Sequence, residues 1–106
     1  MVSLTVMYPA NPGTTFDWDY YLGPHLALAG KLLSPFGRLH TEVNRGVTGL
    51  PPGTPAPYYA IANLHFSSMQ DLQSALAANT PALIADQRRY YSGESIVQIN
   101  EVFGAA

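Results

Sequence analysis

The chain contains no cysteine, which excludes a disulfide framework, a thiolate metal site and a cysteine nucleophile. It is also short of charge: 11% of its residues are charged, where a typical soluble domain carries ~25%. Five Lys and Arg stand against seven Asp and Glu. That balance leaves no basic footprint, and nucleic acid is not an expected partner. Long hydrophobic runs are missing as well. The longest charge-free stretch, Gly46–Gln70, is broken by Pro51, Pro52, Pro55 and Pro57 and cannot form a continuous spanning helix. No membrane partner is expected. Met1–Tyr8 lacks the basic start and the longer apolar run of a signal peptide, so a cytoplasmic location is expected. His25, His40 and His65 show no His-x-His or His-x-x-x-His spacing, so no metal site is expected. Glycines 46, 49 and 53 lie among prolines and do not open a helix as a phosphate loop does. No Gly-x-Ser-x-Gly elbow occurs. The expected cofactor is none.

What is present is apolar. Of the 106 residues 47% are hydrophobic, and the length suits a single domain, 1–106, with one modest core. Twelve charges cover such a surface thinly, so part of it is expected to be buried against a second copy of the chain.

The hydrophobic pattern alternates between the two regular periods. Ser3–Tyr8 alternates polar and apolar residues as a strand does, and Pro9–Gly13 ends it. Thr14 or Thr15 is a candidate helix cap, with Asp17 and Asp19 in the first turn where the helix dipole favours them. Trp18, Tyr21, Leu22, His25, Ala29 and Leu32 then fall on one helical face, and Gly23-Pro24 predicts a kink within it. Arg38–Thr48 reads as a strand and Gly49–Pro57 as a loop. Tyr58–Phe66 is the clearest strand, with Tyr59, Ile61, Asn63 and His65 on one face and Tyr58, Ala60, Ala62, Leu64 and Phe66 on the other. Ser67 with Gln70 predicts a capping box for a second helix, Thr80-Pro81 a further short helix, and Ser95–Phe103 the last strand.

The order β-α-β-β-α-β is the split βαβ pattern: α+β, ferredoxin-like, a four-stranded antiparallel sheet with helices on one face. Strands apolar on both faces leave the other side of the sheet in need of cover. A homodimer through that open face is the expected solution, with Asn63 and His65 placed at the interface because buried polar groups need partners.

Phe16-Asp17-Trp18-Asp19-Tyr20-Tyr21-Leu22-Gly23-Pro24-His25, preceded by Tyr8-Pro9, resembles the helix motif of the EthD family, named for ethyl tert-butyl ether degradation. The likeness continues through Tyr58–Ala62, Phe66, Leu72–Leu76, Asp86 with Tyr90, and Val97–Glu101. The family usually has Pro two residues after the motif His, whereas here Pro24 precedes His25. The resemblance implies a dimeric α+β barrel, a superfamily that includes cofactor-independent oxygenases of aromatic polyketides, lactone isomerases and haem-degrading enzymes.

His25 is the candidate catalytic residue: an imidazole on the helix face turned to the sheet can pass a proton near neutral pH. The competing reading is a packed histidine satisfied by a carbonyl or a tyrosine. Trp18, Tyr21, Tyr59 and Phe66 are candidate substrate-binding residues, or plain aromatic core. Asp86, Arg88, Tyr90 and Tyr91 read as a solvated helix end, with a cavity mouth as the alternative. Two functions fit these residues. One is a cofactor-independent enzyme or accessory acting on an apolar aromatic, carbonyl or ether compound; the other is a non-catalytic dimeric protein that binds such a molecule or supports an oxygenase.

Overall fold

The computed structural model describes residues 1–104. Its elements are β1 (Val2–Pro9), α1 (Trp18–Tyr20), a π-helical turn (Tyr21–His25), α2 (Leu26–Leu33), β2 (Arg38–Arg45), β3 (Tyr58–Phe66), α3 (Met69–Gln87) and β4 (Ile96–Glu101). The strands form one antiparallel sheet in the order β2-β3-β1-β4, which is the split βαβ arrangement the sequence pattern predicts.

The helices cover one face of this sheet. Ala60, Ala62, Leu64 and Phe66 alternate inward along β3 and are buried, as the period-2 pattern requires. The last three join Leu33 of α2 and Leu72 of α3 in the main core, and Ala60 packs with the aromatic group described next. A second, aromatic core gathers Tyr8, Tyr21, Tyr90 and Tyr91 at the other end of the sheet. Buried Asn79 ties the two helices together, its Nδ2 donating to the Leu32 carbonyl (3.2 Å) and to the Ala75 carbonyl (3.0 Å).

Several local expectations are corrected. The first helix is capped by Asp17, not by Thr14 or Thr15: its carboxylate accepts the Tyr20 N–H at 3.1 Å. Ser68, not Ser67, caps α3 by accepting the Asp71 N–H. Pro81 starts no new helix but lies inside α3, where Thr80 Oγ1 donates to the Leu76 carbonyl at 2.6 Å.

The kink expected at Pro24 is a π turn, in which the Leu26 N–H bonds to the carbonyl of Tyr21 five residues back. Proline supplies no N–H and its ring pushes the preceding turn open. The widened turn keeps Tyr21 and His25 inward, with rings stacked at 5.5 Å, and turns Leu22 out to 53% exposure. Leu22 therefore leaves the buried stripe on which regular periodicity puts it.

The open face of the sheet is more polar than the sequence suggests. Thr5 Oγ1 donates to Asn63 Oδ1 at 2.6 Å, and Asn100 Nδ2 donates to Thr5 Oγ1 at 2.7 Å and Ser3 Oγ at 3.1 Å. His65 stacks on His40 at 4.3 Å. These residues are cross-strand neighbours in register, Ser3 with His65 and Asn100, and Thr5 with Asn63. Such pairing cannot be read along a single strand.

Candidate functional site

A cavity of about 580 Å³ separates the helices from the sheet, within the range of small-molecule sites. Leu4 and Val6 of β1, Leu64 and Phe66 of β3, and Leu33 and Leu72 of the helices make its walls apolar. It opens between α3 and β4, where Ile84 and Val97 line it while standing half exposed. Tyr8, Tyr21, His25 and Tyr90 form a polar group in its wall.

Local backbone pairing brings this group together. The Asp17 N–H donates to the Tyr90 carbonyl at 2.7 Å and the Ser92 N–H to the Thr15 carbonyl at 3.2 Å. That clamp sets the start of α1 beside the end of α3, so His25 meets Asp86 across 61 residues of sequence. Asp86 Oδ2 lies 2.9 Å from His25 Nδ1, and Tyr20 O–H donates to Asp86 Oδ1 at 2.7 Å. The two side chains of the pair are only 10% and 11% exposed.

Burial alone would raise the Asp86 carboxyl, but the Tyr20 and His25 hydrogen bonds, helped by the Arg89 guanidinium, outweigh it and hold the group below its usual 3.8. An ionised carboxylate only accepts, so Nδ1 carries a proton toward Asp86, and when the ring holds no second proton Nε2 presents its lone pair. Nε2 faces the Tyr90 hydroxyl at 3.2 Å, and that oxygen lies 2.8 Å from the Tyr8 hydroxyl. The chain of donors then runs from Tyr8 through Tyr90 to His25. Burial pushes the Tyr8, Tyr21 and Tyr90 hydroxyls well above the ordinary 10.0, so they remain neutral donors at any physiological pH.

Of the residues singled out in the sequence, His25, Tyr21 and Phe66 line the cavity. Trp18 and Tyr59 lie outside its lining. Trp18 packs on Phe16 and Tyr21 with Arg45 over its ring at 4.9 Å. Tyr59 stacks on Phe16 and donates to the Thr14 carbonyl at 2.6 Å. Asn63 and His65 point away from the helices, where Asn63 is bonded to Thr5. Asp86 and Tyr90 are not a solvated helix end: Tyr90 lines the cavity, as the alternative reading of that segment expects, and both hold His25. The available signal was the place of Asp86 with Tyr90 in the family likeness, and exposed Arg88 and Arg89 between them gave the segment the look of a solvated end. Among the described residues no group of three or more His, Asp or Glu could hold a metal ion, and no helix is long and apolar enough to cross a membrane.

Fold and site together define an α+β protein of ferredoxin-like topology, whose helices and sheet enclose an apolar cavity with a Tyr–His–Asp chain in its wall. The EthD domain matches residues 13–94. The chain belongs to the EthD family. No match is found among the curated proteins. Among solved structures, an EthD-like protein of Ralstonia eutropha JMP134 is 24% identical with a TM-score of 0.90, over 99% of this chain and 94% of that one. SnoaB, a cofactor-independent oxygenase of Streptomyces nogalater, is 9% identical with a TM-score of 0.66, over 98% and 94%. A dimeric ferredoxin-like protein of Thermobifida fusca is 9% identical with a TM-score of 0.52, over 95% and 90%. At these identities the likeness is one of fold.

Proposed function

We propose that this EthD protein binds an apolar, carbonyl-bearing small molecule in the cavity and moves a proton on it without a cofactor. The observation that carries the reading is the His25–Tyr90 pair in the wall of a mostly apolar cavity, with Asp86 bonded behind His25. In the reaction, His25 Nε2 takes a proton from the carbon beside the substrate carbonyl, and Asp86 stabilises the ring as it becomes charged. A neutral tyrosine hydroxyl, Tyr90 or Tyr8, donates to the developing enolate oxygen, where a dry cavity strengthens the bond. The proton then returns to the enolate, or a later step consumes it. Such chemistry suits a role in the breakdown or modification of small organic compounds, and the likeness of fold to a cofactor-independent oxygenase agrees with it.

A second reading is a binding or accessory protein without turnover. It is favoured by the fact that both ring nitrogens of His25 already have protein partners. His25→Gln separates the two. If His25 is the base, the variant keeps its fold and its affinity for an apolar ketone within a few-fold, while turnover falls at least ~100-fold. Wild-type protein that binds such ketones in calorimetry yet consumes none leaves the binding reading.

The active form is proposed to be a homodimer joined through the open sheet face. Met7, Ile61 and Ile96 form an apolar row there beside the Thr5, Asn63 and Asn100 network. Sedimentation at micromolar concentration is expected to give twice the chain mass; a monomer there rejects the dimer.

A further inference from the structure

The cavity carries a second polar element far from His25. Arg38, the first residue of β2, lines the cavity together with Thr41. Gly37, in the left-handed region at φ 83°, makes the turn that delivers it there. Arg38 pairs opposite Phe66, which pairs with Val2, whereas the tyrosine and histidine group sits at the Tyr8 end of β1. The guanidinium itself reaches back to Thr41, which lies opposite Leu64 and, through it, Leu4, so four strand residues separate it from the Tyr8 level, about 13 Å at the usual rise.

The guanidinium is underused. One terminal nitrogen donates to Thr41 Oγ1 at 2.9 Å and the other to Ser34 Oγ at 3.2 Å. Its Nε is buried with no acceptor, although Arg presents five donors. Among the described residues no carboxylate pairs with it. Asp71, which packs against neighbouring Gly37, accepts from Ser67 instead. On the helix side Gly30 leaves room beside the guanidinium, whose terminal nitrogen lies 3.7 Å from where a Cβ would stand. Arg38 is half-buried and its Ser34 bond is exposed to solvent, so the cost of the charge falls on the buried Nε edge, which an anion in the cavity would satisfy.

We propose that Arg38, with Thr41, is the anion-recognising end of the cavity, and that the ligand is an apolar acid. Its carboxylate, or an equally acidic enol, sits at Arg38 while its apolar body runs along Leu4 and Val6 toward His25. A guanidinium holds such a head group through two parallel hydrogen bonds. This rests on the reading of the cavity as a small-molecule site and narrows the class of molecule.

The test is calorimetric titration at neutral pH with phenylhexanoate and its uncharged counterpart phenylhexanol. Wild-type protein is expected to bind the acid at least ~10-fold more tightly than the alcohol. Arg38→Met should remove that preference and leave alcohol binding in place, and Arg38→Lys should keep part of it. Equal binding of the two probes by wild type, or a preference that survives Arg38→Met, overturns the proposal while leaving the cavity reading standing. Binding of neither probe overturns both. If Arg38→Met does not fold, the wild-type comparison together with Arg38→Lys decides.

Discussion

For the proton transfer proposed at His25, Asp86→Asn is expected to lower turnover by about 10²- to 10⁴-fold, the range over which a positioned acid–base group contributes. The substitution is nearly isosteric, but it removes the charge that fixes the His25 tautomer. If the amide turns its NH₂ toward Nδ1, the proton moves to Nε2, and the ring can no longer accept from Tyr90 or from a substrate. Nitrogen NMR of the ring reads this directly: wild type should show the Nδ1-protonated tautomer and Asp86→Asn a mixture or the other form. Turnover unchanged in Asp86→Asn would remove the pair from the mechanism. Stability should fall too, by about 1.5–3 kcal/mol for hydrogen bonds to a charged, largely buried group.

The same substitution changes the acid limb of the stability curve. The folded Asp86 carboxyl lies below its usual 3.8, so the unfolded chain takes up the proton first as pH falls. Its contribution is complete above the unfolded value and is lost as pH drops below about 4 and through the lower folded value. Urea unfolding followed from neutral pH downward should therefore lose less stability in Asp86→Asn than in wild type.

Phe66→Ala is expected to be the most destabilising single truncation in the sheet, at about 3–5 kcal/mol. Phe66 is fully buried, pairs with Val2 on one side and Arg38 on the other, and joins the main core on the helix side of the sheet. It also lines the cavity, so one side of the ring already lacks neighbours. That places the cost toward the lower end, about 3 kcal/mol, with a melting temperature lower by roughly 12–24 °C for a domain of this size. Thermal unfolding by circular dichroism checks it; a loss under about 1 kcal/mol would mean that the surrounding core collapses into the space. The variant should also weaken binding of both phenylhexanoate and phenylhexanol, because it alters a wall that both would touch.

The fold was legible in the sequence because it depends on periodicity. Alternation over Tyr58–Phe66 correctly places Ala60, Ala62, Leu64 and Phe66 in the core, since a strand offers each side chain one of two faces. The helix carrying Trp18 to His25 was legible for the same reason, up to Pro24. Around that residue the regular period misplaces Leu22, because the π turn over Tyr21–His25 is a response to the missing proline N–H that a 3.6-residue template does not contain. Tyr21 and His25 survived the change because the turn widens around them.

The site was legible only in part. His25 stood out as a titratable group on an apolar face. Asp86, Tyr90 and Arg38 did not, because a charged or polar residue beside an element end looks the same whether it faces water or a cavity. Sequence by itself determined the order of elements, which faces are apolar, and the absence of thiol chemistry, all of which follow from local residue type and spacing. Only the tertiary structure decided that the end of α3 lies against the start of α1, that His25 is held by Asp86, and that Arg38 stands in the cavity wall with no carboxylate beside it among the described residues. Those facts depend on contacts between residues as many as 77 positions apart, and no local property of either partner encodes them.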